Sequence, residues 1–158
     1  SRSHQRALRR NHDVTLELRT VGFRDEHFAL YRAYQANRHA GDSMDDPDPQ
    51  KYEMFLTRSN IDTFMVELRL GRRLLAVSVM DHVANGLSAV YTFFDPEEAA
   101  RSPGTLAILK QIELTRRIEY DWLYLGYWIK DSPKMTYKTR FQPLQAFFPE
   151  NDNWHSVG

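Results

Sequence analysis

Two tight turns divide residues 62–94 into three short segments rich in β-branched and aromatic residues, and this pattern constrains the fold more than any other part of the chain. The segments are DTFMVELRL (62–70), LLAVSVMDHV (74–83) and LSAVYTFF (87–94). Runs of this length and composition are typical of strands. Gly71 opens the first turn, and Asn85-Gly86 in the second is a strong signal for a tight hairpin. The sequence therefore predicts an antiparallel meander of three strands.

A strand and two helices are predicted ahead of the meander. Residues 15–21 alternate in the manner of a strand. Within residues 24–40, aromatic and apolar side chains recur at helical spacing. These side chains are Phe28, Leu30, Tyr31 and Tyr34. A second helix is expected to begin with Asp48 as its N-cap and Pro49 in its first turn, and to run to about residue 58.

A helix, a strand and a short helix are predicted beyond the meander. Residues 97–103 are expected to form a loop, and residues 104–120 a helix with a broad apolar stripe. The stripe comprises Leu106, Leu109, Ile112, Leu114 and Ile118. Residues 122–129 are continuously apolar, as expected for a strand covered on both faces. A short helix over 132–138 and a last edge strand near the C-terminus complete the prediction.

Composition excludes several classes of protein. The 158 residues correspond to one domain, and the absence of cysteine excludes disulfides and thiolate metal sites in this chain. No apolar run approaches the roughly 20 residues of a membrane helix, and no charged-then-apolar leader is seen, so a cytoplasmic location is expected. The six histidines lack metal-ligand spacing, so no metal site is predicted. The formal net charge of zero gives no support to DNA binding, although basic residues cluster locally.

The predicted order of elements resembles that of the acetyltransferase-like (GNAT) fold. This order is strand, two helices, antiparallel meander, helix, strand, short helix and terminal strand. We therefore expect an α+β chain with a mixed, mostly antiparallel sheet flanked by helices. In this fold the sheet splays open, and substrates enter the split.

The start of the helix after the meander partly matches a coenzyme A loop. In acetyltransferases, an Arg/Gln-x-x-Gly-x-Gly/Ala segment presents backbone amides to the pyrophosphate at a helix N-terminus. Arg101 and Gly104 match this pattern, whereas Leu106 occupies the last small position and Pro103 removes one donor. Two interpretations stay open: an ordinary loop-to-helix turn, and a modified anion site, for example for a tRNA terminal phosphate.

Residues 124–138 combine a glycine with a basic helix at the predicted cleft strand. Gly126 lies in mid-strand, where a glycine indicates either a closely approaching ligand or a bulge. Lys134 and Lys138 are four residues apart, so on an α-helix they share a face, with Tyr137 on nearly the same side. That face is either a solvated surface or a site for an anion between the two ammonium groups.

Three segments, together with the LLAVSVMD strand (74–81), resemble a known family. They are LYRAYQANRHAGDSMDDPDP (30–49), GLSAVYTFFDPEEAARSPGT (86–105) and YLGYWIKDSPKMTYKTRFQPLQ (124–145). On these motifs the chain is similar to the aminoacyl-tRNA–protein transferases, and most similar to the bacterial branch that transfers Leu to N-terminal Asp or Glu. The resemblance implies aminoacyl-tRNA, either Leu-tRNA or Arg-tRNA, as co-substrate without a cofactor. It also implies protein acceptors that begin with Asp or Glu and a place in the N-degron pathway.

The family also carries a cysteine-rich N-terminal domain, just upstream of the SRS-x-x-RALRRN run that occupies residues 1–11 here. The resemblance therefore implies that residues 1–13 are the remnant of a linker or of that domain. Residues 14–158 are expected to be the GNAT-like transferase domain.

The resemblance suggests residues that bind the substrates. Lys134 and Lys138 are expected to hold the acidic side chain of the acceptor or the 3′ end of the tRNA. Arg38 is the alternative cation for the acceptor carboxylate. Further contacts are expected from Arg101, Gly104, Gly126, Asp131 and Tyr137.

It also suggests residues that assist the transfer. Tyr91 and Tyr127 are expected to donate hydrogen bonds near the ester. Asp81 or His39 is expected to orient the attacking amine or to accept its proton. His39 is the imidazole best placed to titrate near neutrality, although a cation beside it at Arg38 also suits a helix C-terminus.

Two other functions stay open on the sequence. The first is an N-acetyltransferase that uses acetyl-coenzyme A, against which Leu106 in the Arg101–Leu106 loop counts. The second is a non-catalytic module that binds tRNA or acidic N-termini.

Overall fold

The computed structural model describes residues 1–38, 47–57, 62–127 and 132–158. The chain divides into a large unit, Arg2–Tyr124, and a C-terminal unit, Leu125–Gly158. The helices of the large unit are α1 (Arg2–Arg10), α2 (Asp25–Arg38), α3 (Pro49–Thr57), a 3₁₀-helix (Pro96–Arg101) and α4 (Pro103–Arg117). Its strands are β1 (Val14–Thr20), β2 (Thr63–Leu70), β3 (Arg73–Val83), β4 (Gly86–Phe94) and β5 (Trp122–Tyr124).

The strands of the large unit form one five-stranded sheet in the order β1-β2-β3-β4-β5. The first four strands are antiparallel to their neighbours, and β5 pairs in parallel with β4. The predicted meander is confirmed. Gly71 (φ +61°) and Asn85 (φ +54°) both adopt the left-handed backbone conformation that tight hairpin turns require. The mixed, mostly antiparallel sheet confirms the predicted α+β class.

Helices cover both faces of this sheet. Successive residues of a strand point to opposite sides, so each strand contributes side chains to both layers. Met65 on β2 packs in a cluster with Leu30 and Tyr34 of α2, whereas its neighbour Val66 packs in a cluster with Leu106 of α4. The α2 and α3 side is rich in aromatic residues, and the α4 side is mainly aliphatic. The large unit is thus a three-layer structure with one core on each side of the sheet.

The two helices predicted ahead of the meander are confirmed within the described residues. Tyr34, Tyr52 and Leu56 are buried on the sheet side of α2 and α3. Asp48 caps α3 as expected, since its Oδ1 accepts a hydrogen bond from the backbone N–H of Gln50 at 2.9 Å. The predicted ends of both helices, at residues 40 and 58, lie outside the described residues.

Two predictions around α4 are wrong. Within the segment predicted as a loop, Pro96–Arg101 forms a 3₁₀-helix, because Asp95 accepts a hydrogen bond from the backbone N–H of Glu97 and caps it. The following helix ends at Arg117 rather than near residue 120, and Glu119 is left-handed at φ +61°. Ile118, predicted to be on the apolar stripe, is therefore 38 % exposed.

The strand predicted over residues 122–129 is also wrong in length and burial. Strand β5 contains only Trp122–Tyr124, and Trp122 is 45 % exposed. Gly126 has φ +79°, which ends the extended conformation. Residues 128 and 129 lie outside the described residues.

The C-terminal unit contains a 3₁₀-helix (Pro133–Arg140), β6 (Leu144–Phe148), a single 3₁₀ turn (Pro149–Asn151) and β7 (Asn153–Val157). Strands β6 and β7 form their own two-stranded sheet, so the predicted terminal edge strand is a separate hairpin. The short helix is confirmed, but as a 3₁₀-helix, in which positions three apart are eclipsed. Positions 134 and 138 therefore do not share a face, contrary to the expectation from α-helical spacing.

A buried carboxylate joins β1, β2 and α2. Glu67 is 1 % exposed, and it accepts hydrogen bonds from Arg19 Nε at 2.5 Å and from Arg69 Nε at 2.9 Å. Burial alone raises the pKa of Glu67, but the hydrogen bonds from the two guanidinium groups outweigh burial and hold that pKa below its usual value. Arg69 also pairs with Glu26 at the start of α2. Glu67 therefore links two strands directly, and through Arg69 and Glu26 it also links them to α2.

We expect Glu67→Gln to lower the free energy of unfolding by about 2–3 kcal/mol, because it removes the charge that compensates the two guanidinium groups. Glu17 is the matched control: it lies directly opposite Glu67 in the β1–β2 register and pairs with the same Arg19, but its side chain is 45 % exposed. Glu17→Gln should change stability by less than about 0.5 kcal/mol. Urea unfolding at pH 7 measures both effects, and equal losses would contradict the role given to Glu67.

His27 lies fully buried beside this network. Its Nε2 is 3.6 Å from Glu67 Oε2, beyond hydrogen-bond distance, and within the described part of the chain neither ring nitrogen has a hydrogen-bond partner. Burial lowers the pKa of His27 more than the nearby carboxylate of Glu67 raises it. The folded protein therefore favours the neutral form of this imidazole.

Stability should fall as the pH is lowered from about 6.5, the ordinary histidine pKa, towards the lower pKa of folded His27. In that window the unfolded chain binds a proton that the folded chain does not, which costs up to about 1.4 kcal/mol per pH unit. His27→Gln should remove this part of the pH dependence. The test compares free energies of unfolding of the two proteins over a series of pH values, and parallel profiles would overturn the assignment.

Candidate functional site

Strand β4 loses its neighbour after its first three residues. Residues 86–88 pair in parallel with Trp122–Tyr124, and β5 then ends. Beyond Ser88, the described residues contain no other strand beside β4 on that side. The backbone groups of residues 89–94 that point away from β3 therefore form a free edge next to the parting of the two strands.

A β-bulge lies in the ladder between β3 and β4, next to this free edge. Val79 pairs with Tyr91 and Met80 pairs with Ala89, so Val90 is an extra residue in β4. A bulge disturbs the ladder and bends the strand. The Val90 side chain is 42 % exposed, so it contributes little to the hydrophobic core. The bulge therefore bends β4 where its other side has no neighbouring strand among the described residues.

Tyr91, predicted to act near the ester, follows the bulge and points into the aromatic layer. Its ring lies 6.2 Å from that of Tyr31, 6.4 Å from that of Tyr34 and 5.9 Å from that of Phe55. Burial in this layer raises the pKa of Tyr91 to about 12. The phenol therefore remains protonated near neutral pH and can donate a hydrogen bond.

Gln35 is a site residue that the sequence analysis missed. Its Nε2 donates a hydrogen bond to the Tyr91 hydroxyl at 2.9 Å. Its Oε1 is buried and has no hydrogen-bond partner within the described ranges. A signal was present, because Gln35 lies four residues after Tyr31 and is a polar residue on an aromatic helical stripe.

Arg38 lies one turn further along α2, at its C-terminus. Its Nη1 donates a hydrogen bond to the Tyr34 hydroxyl at 2.9 Å, and its guanidinium carbon is 5.6 Å from the centre of the Tyr34 ring. The side chain remains exposed, so its other donors can reach a ligand. Gln35, Arg38, Tyr34 and Tyr91 form one polar group above β4, which we call the α2–β4 cluster.

Asp81 lies on the same face of the sheet as this cluster. It is two residues beyond Val79, the partner of Tyr91, and side chains two apart on a strand share a face. Its Oδ1 accepts a hydrogen bond of 2.5 Å from Thr63 Oγ1 across the β2–β3 ladder. The expectation that Asp81 handles the amine proton stays a prediction.

Arg101, just before α4, is bound by acidic side chains of the protein itself. Both terminal nitrogens of Arg101 bind the carboxylate of Asp13, at 3.0 and 3.3 Å, and its Nε lies 3.2 Å from Glu98. The hydrogen bond from Arg101 holds the pKa of Asp13 below its usual value. A side chain at Gly104 would meet Phe94 only at an ordinary 3.5 Å, so packing does not demand a glycine there. A substrate role for Arg101 or Gly104 stays a prediction.

In the C-terminal unit, Lys138 holds the backbone around Gly126. Lys138 is 8 % exposed, and its Nζ donates hydrogen bonds to the carbonyl oxygens of Leu125, at 2.9 Å, and of Tyr127. Burial lowers the pKa of Lys138. The φ of +79° at Gly126 allows both flanking carbonyl groups to reach one ammonium, and a Cβ there would meet no atom within 4 Å. Gly126 is thus needed for its backbone conformation rather than for space.

The remaining predicted residues are exposed or lie outside the description. Tyr127 is 89 % exposed and Tyr137 is 43 % exposed. His39, Asp131 and the side chain of Lys134 lie outside the described residues, so their expected roles stay predictions.

The described ranges contain no group of three or more His, Cys, Asp or Glu side chains arranged to hold a metal ion. They also contain no helix with the length and apolar character needed to cross a bilayer.

The fold is that of the GNAT acetyltransferases, as predicted. PaiA N-acetyltransferase from Thermoplasma acidophilum, solved with coenzyme A, is similar at a TM-score of 0.56 and 13 % identity, over 89 % of this chain and 96 % of that one. The ribosomal-protein-S18-alanine N-acetyltransferase from Escherichia coli is similar at a TM-score of 0.57 and 11 % identity, over 84 % of this chain and 79 % of that one. At such low identity the likeness shows the fold alone.

Within that fold, residues 26–148 match the family model described as arginine-tRNA-protein transferase, C terminus, and the chain belongs to this family. The aspartate/glutamate leucyltransferase of Thiobacillus denitrificans is 48 % identical to it over 157 residues. That match covers 99 % of this chain and 65 % of the relative, so the chain spans about two thirds of the relative's length. The family resemblance inferred from the three sequence segments is confirmed.

We expect Lys138→Met to lower the free energy of unfolding of the C-terminal unit by about 2 kcal/mol, because two carbonyl groups lose their donor. Lys110 offers a matched control, since it forms a helical ion pair with the exposed Glu113 at 3.2 Å. Lys110→Met should cost less than about 0.5 kcal/mol. Hydrogen exchange at residues 125–127 and 138–141 measures the change, and unaltered protection in Lys138→Met would contradict this structural role.

Proposed function

We propose that this chain is the transferase part of an enzyme that moves leucine from Leu-tRNA to the α-amine of proteins that begin with Asp or Glu. The observation that carries the proposal is the 48 % identity, over nearly the whole chain, to a protein named aspartate/glutamate leucyltransferase. The family match over residues 26–148 supports transfer from aminoacyl-tRNA to protein, and its description names arginine, which is why Arg-tRNA is the alternative donor in the test below. The modified protein would then enter the N-degron pathway in the cytoplasm.

The chemistry requires no cofactor, because the donor is already an activated ester. The neutral α-amine attacks the ester carbonyl carbon, the new C–N bond forms, and the carbonyl oxygen becomes an oxyanion. The bond between that carbon and the ribose oxygen then breaks, and the proton lost by the amine ends on the ribose hydroxyl. Holding the two substrates in line contributes about 7–11 kcal/mol to such reactions.

The free edge of β4 supports this chemistry. Backbone N–H groups of β4 that point away from β3 along the free edge are donors of the kind that stabilise an oxyanion. The hydroxyl of Tyr91, which is protonated, is a second donor. Tyr91 directly follows Val90, and its side chain lies on the opposite side of the strand from that of Ala89. The proposal assigns Tyr91 to the ester oxygen or to the departing ribose oxygen.

Cations are available for the acidic end of the acceptor. Arg38 is exposed beside the α2–β4 cluster and retains free donors for a carboxylate. Lys134 and Lys138 remain the other proposed cations. Lys138 already uses two of its three donors on the chain itself, which leaves one for a substrate.

The rival reaction, acetyl transfer from acetyl-coenzyme A, is less well supported. Pro103 removes one of the amides that would bind the pyrophosphate, and Leu106 is fully buried where the coenzyme A loop has a small residue. Arg101 is engaged by Asp13 and Glu98. Calorimetric titration with coenzyme A tests this rival, and micromolar affinity would favour it.

The decisive test is a transfer assay with the full-length protein. It supplies labelled Leu-tRNA and a peptide that begins with Asp, with Arg-tRNA as the alternative donor and an Ala-initiated peptide as the control acceptor. We expect label to pass from Leu-tRNA to the Asp peptide alone. Binding of both substrates without transfer would instead identify a non-catalytic module.

In the same assay, Tyr91→Phe should lower kcat about 100-fold, the usual effect of losing one donor to a developing oxyanion. The loss should be constant between pH 6 and pH 9, because the pKa of Tyr91 is about 12 and the phenol does not ionise in that range. Tyr120→Phe is the control, since Tyr120 packs on the α4 side of the sheet. Equal activity of the two variants would remove Tyr91 from the mechanism.

A further inference from the structure

The α2–β4 cluster contains an unmatched hydrogen-bonding group. Gln35 uses its Nε2 on the Tyr91 hydroxyl, while its buried Oε1 has no partner in the described part of the chain. A buried acceptor without a partner is destabilising, and most such groups in folded proteins are paired. Its persistence at the free edge of β4 suggests that a ligand supplies the missing donor.

We propose that Gln35 Oε1 accepts a hydrogen bond from the α-amine of the acceptor protein, so that Gln35 and Tyr91 together form the amine subsite. This inference rests on the proposed transfer reaction and identifies where its nucleophile binds. It makes Gln35 a substrate-binding residue.

The direction of the hydrogen bond within the pair fits this role. Because the Tyr91 oxygen accepts from Gln35, the hydroxyl proton of Tyr91 is free to point elsewhere. The pair therefore presents one acceptor, the Gln35 carbonyl, and one donor, the Tyr91 hydroxyl. An amine attacking an ester needs an acceptor for its own N–H and a donor for the oxygen that becomes negative.

The charge of the pair fits as well. A neutral amide orients an amine without favouring its protonated form, whereas a carboxylate in the same place would hold the amine as ammonium and block attack. The charged group whose field acts on the Tyr91 phenol is Arg38, a cation three residues after Gln35 on α2. A cation disfavours protonation of a nearby amine and attracts the acidic side chain beside it. The subsite therefore suits a residue with a reactive amine and a carboxylate.

A second glutamine provides an internal comparison. Gln111 on α4 also donates from Nε2 to a hydroxyl, that of Ser78 at 2.9 Å, and its Oε1 also lacks a partner within the described ranges. Gln111 is 1 % exposed and lies in the opposite layer of the large unit. The two residues share their local bonding and differ in location, since Gln35 bonds to Tyr91 in the part of β4 beyond β5, whereas Gln111 bonds to Ser78 on β3. Gln111 is therefore the matched control.

The experiment uses the full-length protein and two peptides. One begins with Asp, and the other begins with a succinyl group, which keeps the acidic side chain but lacks the α-amine. We expect the wild type to bind the Asp peptide about 2- to 10-fold more tightly, as expected for one hydrogen bond between two neutral groups. Gln35→Leu should abolish this preference, and Gln111→Leu should retain it even if its melting temperature falls.

A variant of Gln35 that conserves the shape of the side chain adds a second measurement, the pH dependence of transfer. A purely structural role of Gln35 would leave this pH dependence unchanged. In Gln35→Glu, the carboxylate should raise the pKa of the bound amine, so the rise of transfer rate with pH should shift upward by about one unit. Gln111→Glu should leave the midpoint unchanged. The Gln35→Glu result decides the question even if Gln35→Leu fails to fold.

The outcomes separate the two proposals. Transfer by the wild type, together with an unchanged amine preference in Gln35→Leu and an unshifted pH profile in Gln35→Glu, would overturn the amine subsite and leave the proposed function intact. The wild type could instead prefer the Asp peptide in a way that depends on Gln35 and yet transfer no leucine. That result would overturn the proposed function alone. A wild type that shows neither would overturn both.

Discussion

Strands β4 and β5 pair over three residues and then part, and the possible chemistry of the large unit depends on this parting. Helices cover both faces of the sheet, so a continuous ladder would leave its centre closed to ligands. Where β5 ends, β4 exposes an edge at the level of the Val90 bulge and of Tyr91. The α2 layer then supplies Gln35 and Arg38 above the same edge, so the fold creates both the opening and the side chains around it.

The elements that were predicted correctly carry local signals. Gly71 and Asn85-Gly86 mark the turns of the meander, and Asp48-Pro49 marks the start of α3, because each of these features acts within a few residues. The errors arose where one pattern fits two structures. The apolar run after Trp122 indicates a buried strand equally well whether or not the chain turns at Gly126, and only the left-handed φ of that glycine distinguishes them. The spacing of Lys134 and Lys138 indicated a common face only if the helix were α-helical.

The candidate site was predictable in part. Tyr91 and Arg38 came from the family resemblance, and the structure brings them into one cluster. Gln35 depended on a contact with a residue 56 positions away, which spacing along a single helix does not indicate. Similarly, the partners of Lys138 are backbone carbonyl groups, and these carry no signature in the sequence.

The bulge at Val90 allows Ala89 and Tyr91 to pack on opposite sides of the sheet. Because Ala89 and Tyr91 face opposite sides although they are two residues apart, removing Val90 would restore regular alternation and still leave Tyr91 opposite Val79. The additional residue is therefore not needed for packing of the hydrophobic core. A regular β4 strand without Val90 would keep the same hydrophobic contacts. A single-residue deletion at Val90 would therefore alter the edge of β4 while leaving the aromatic layer in register.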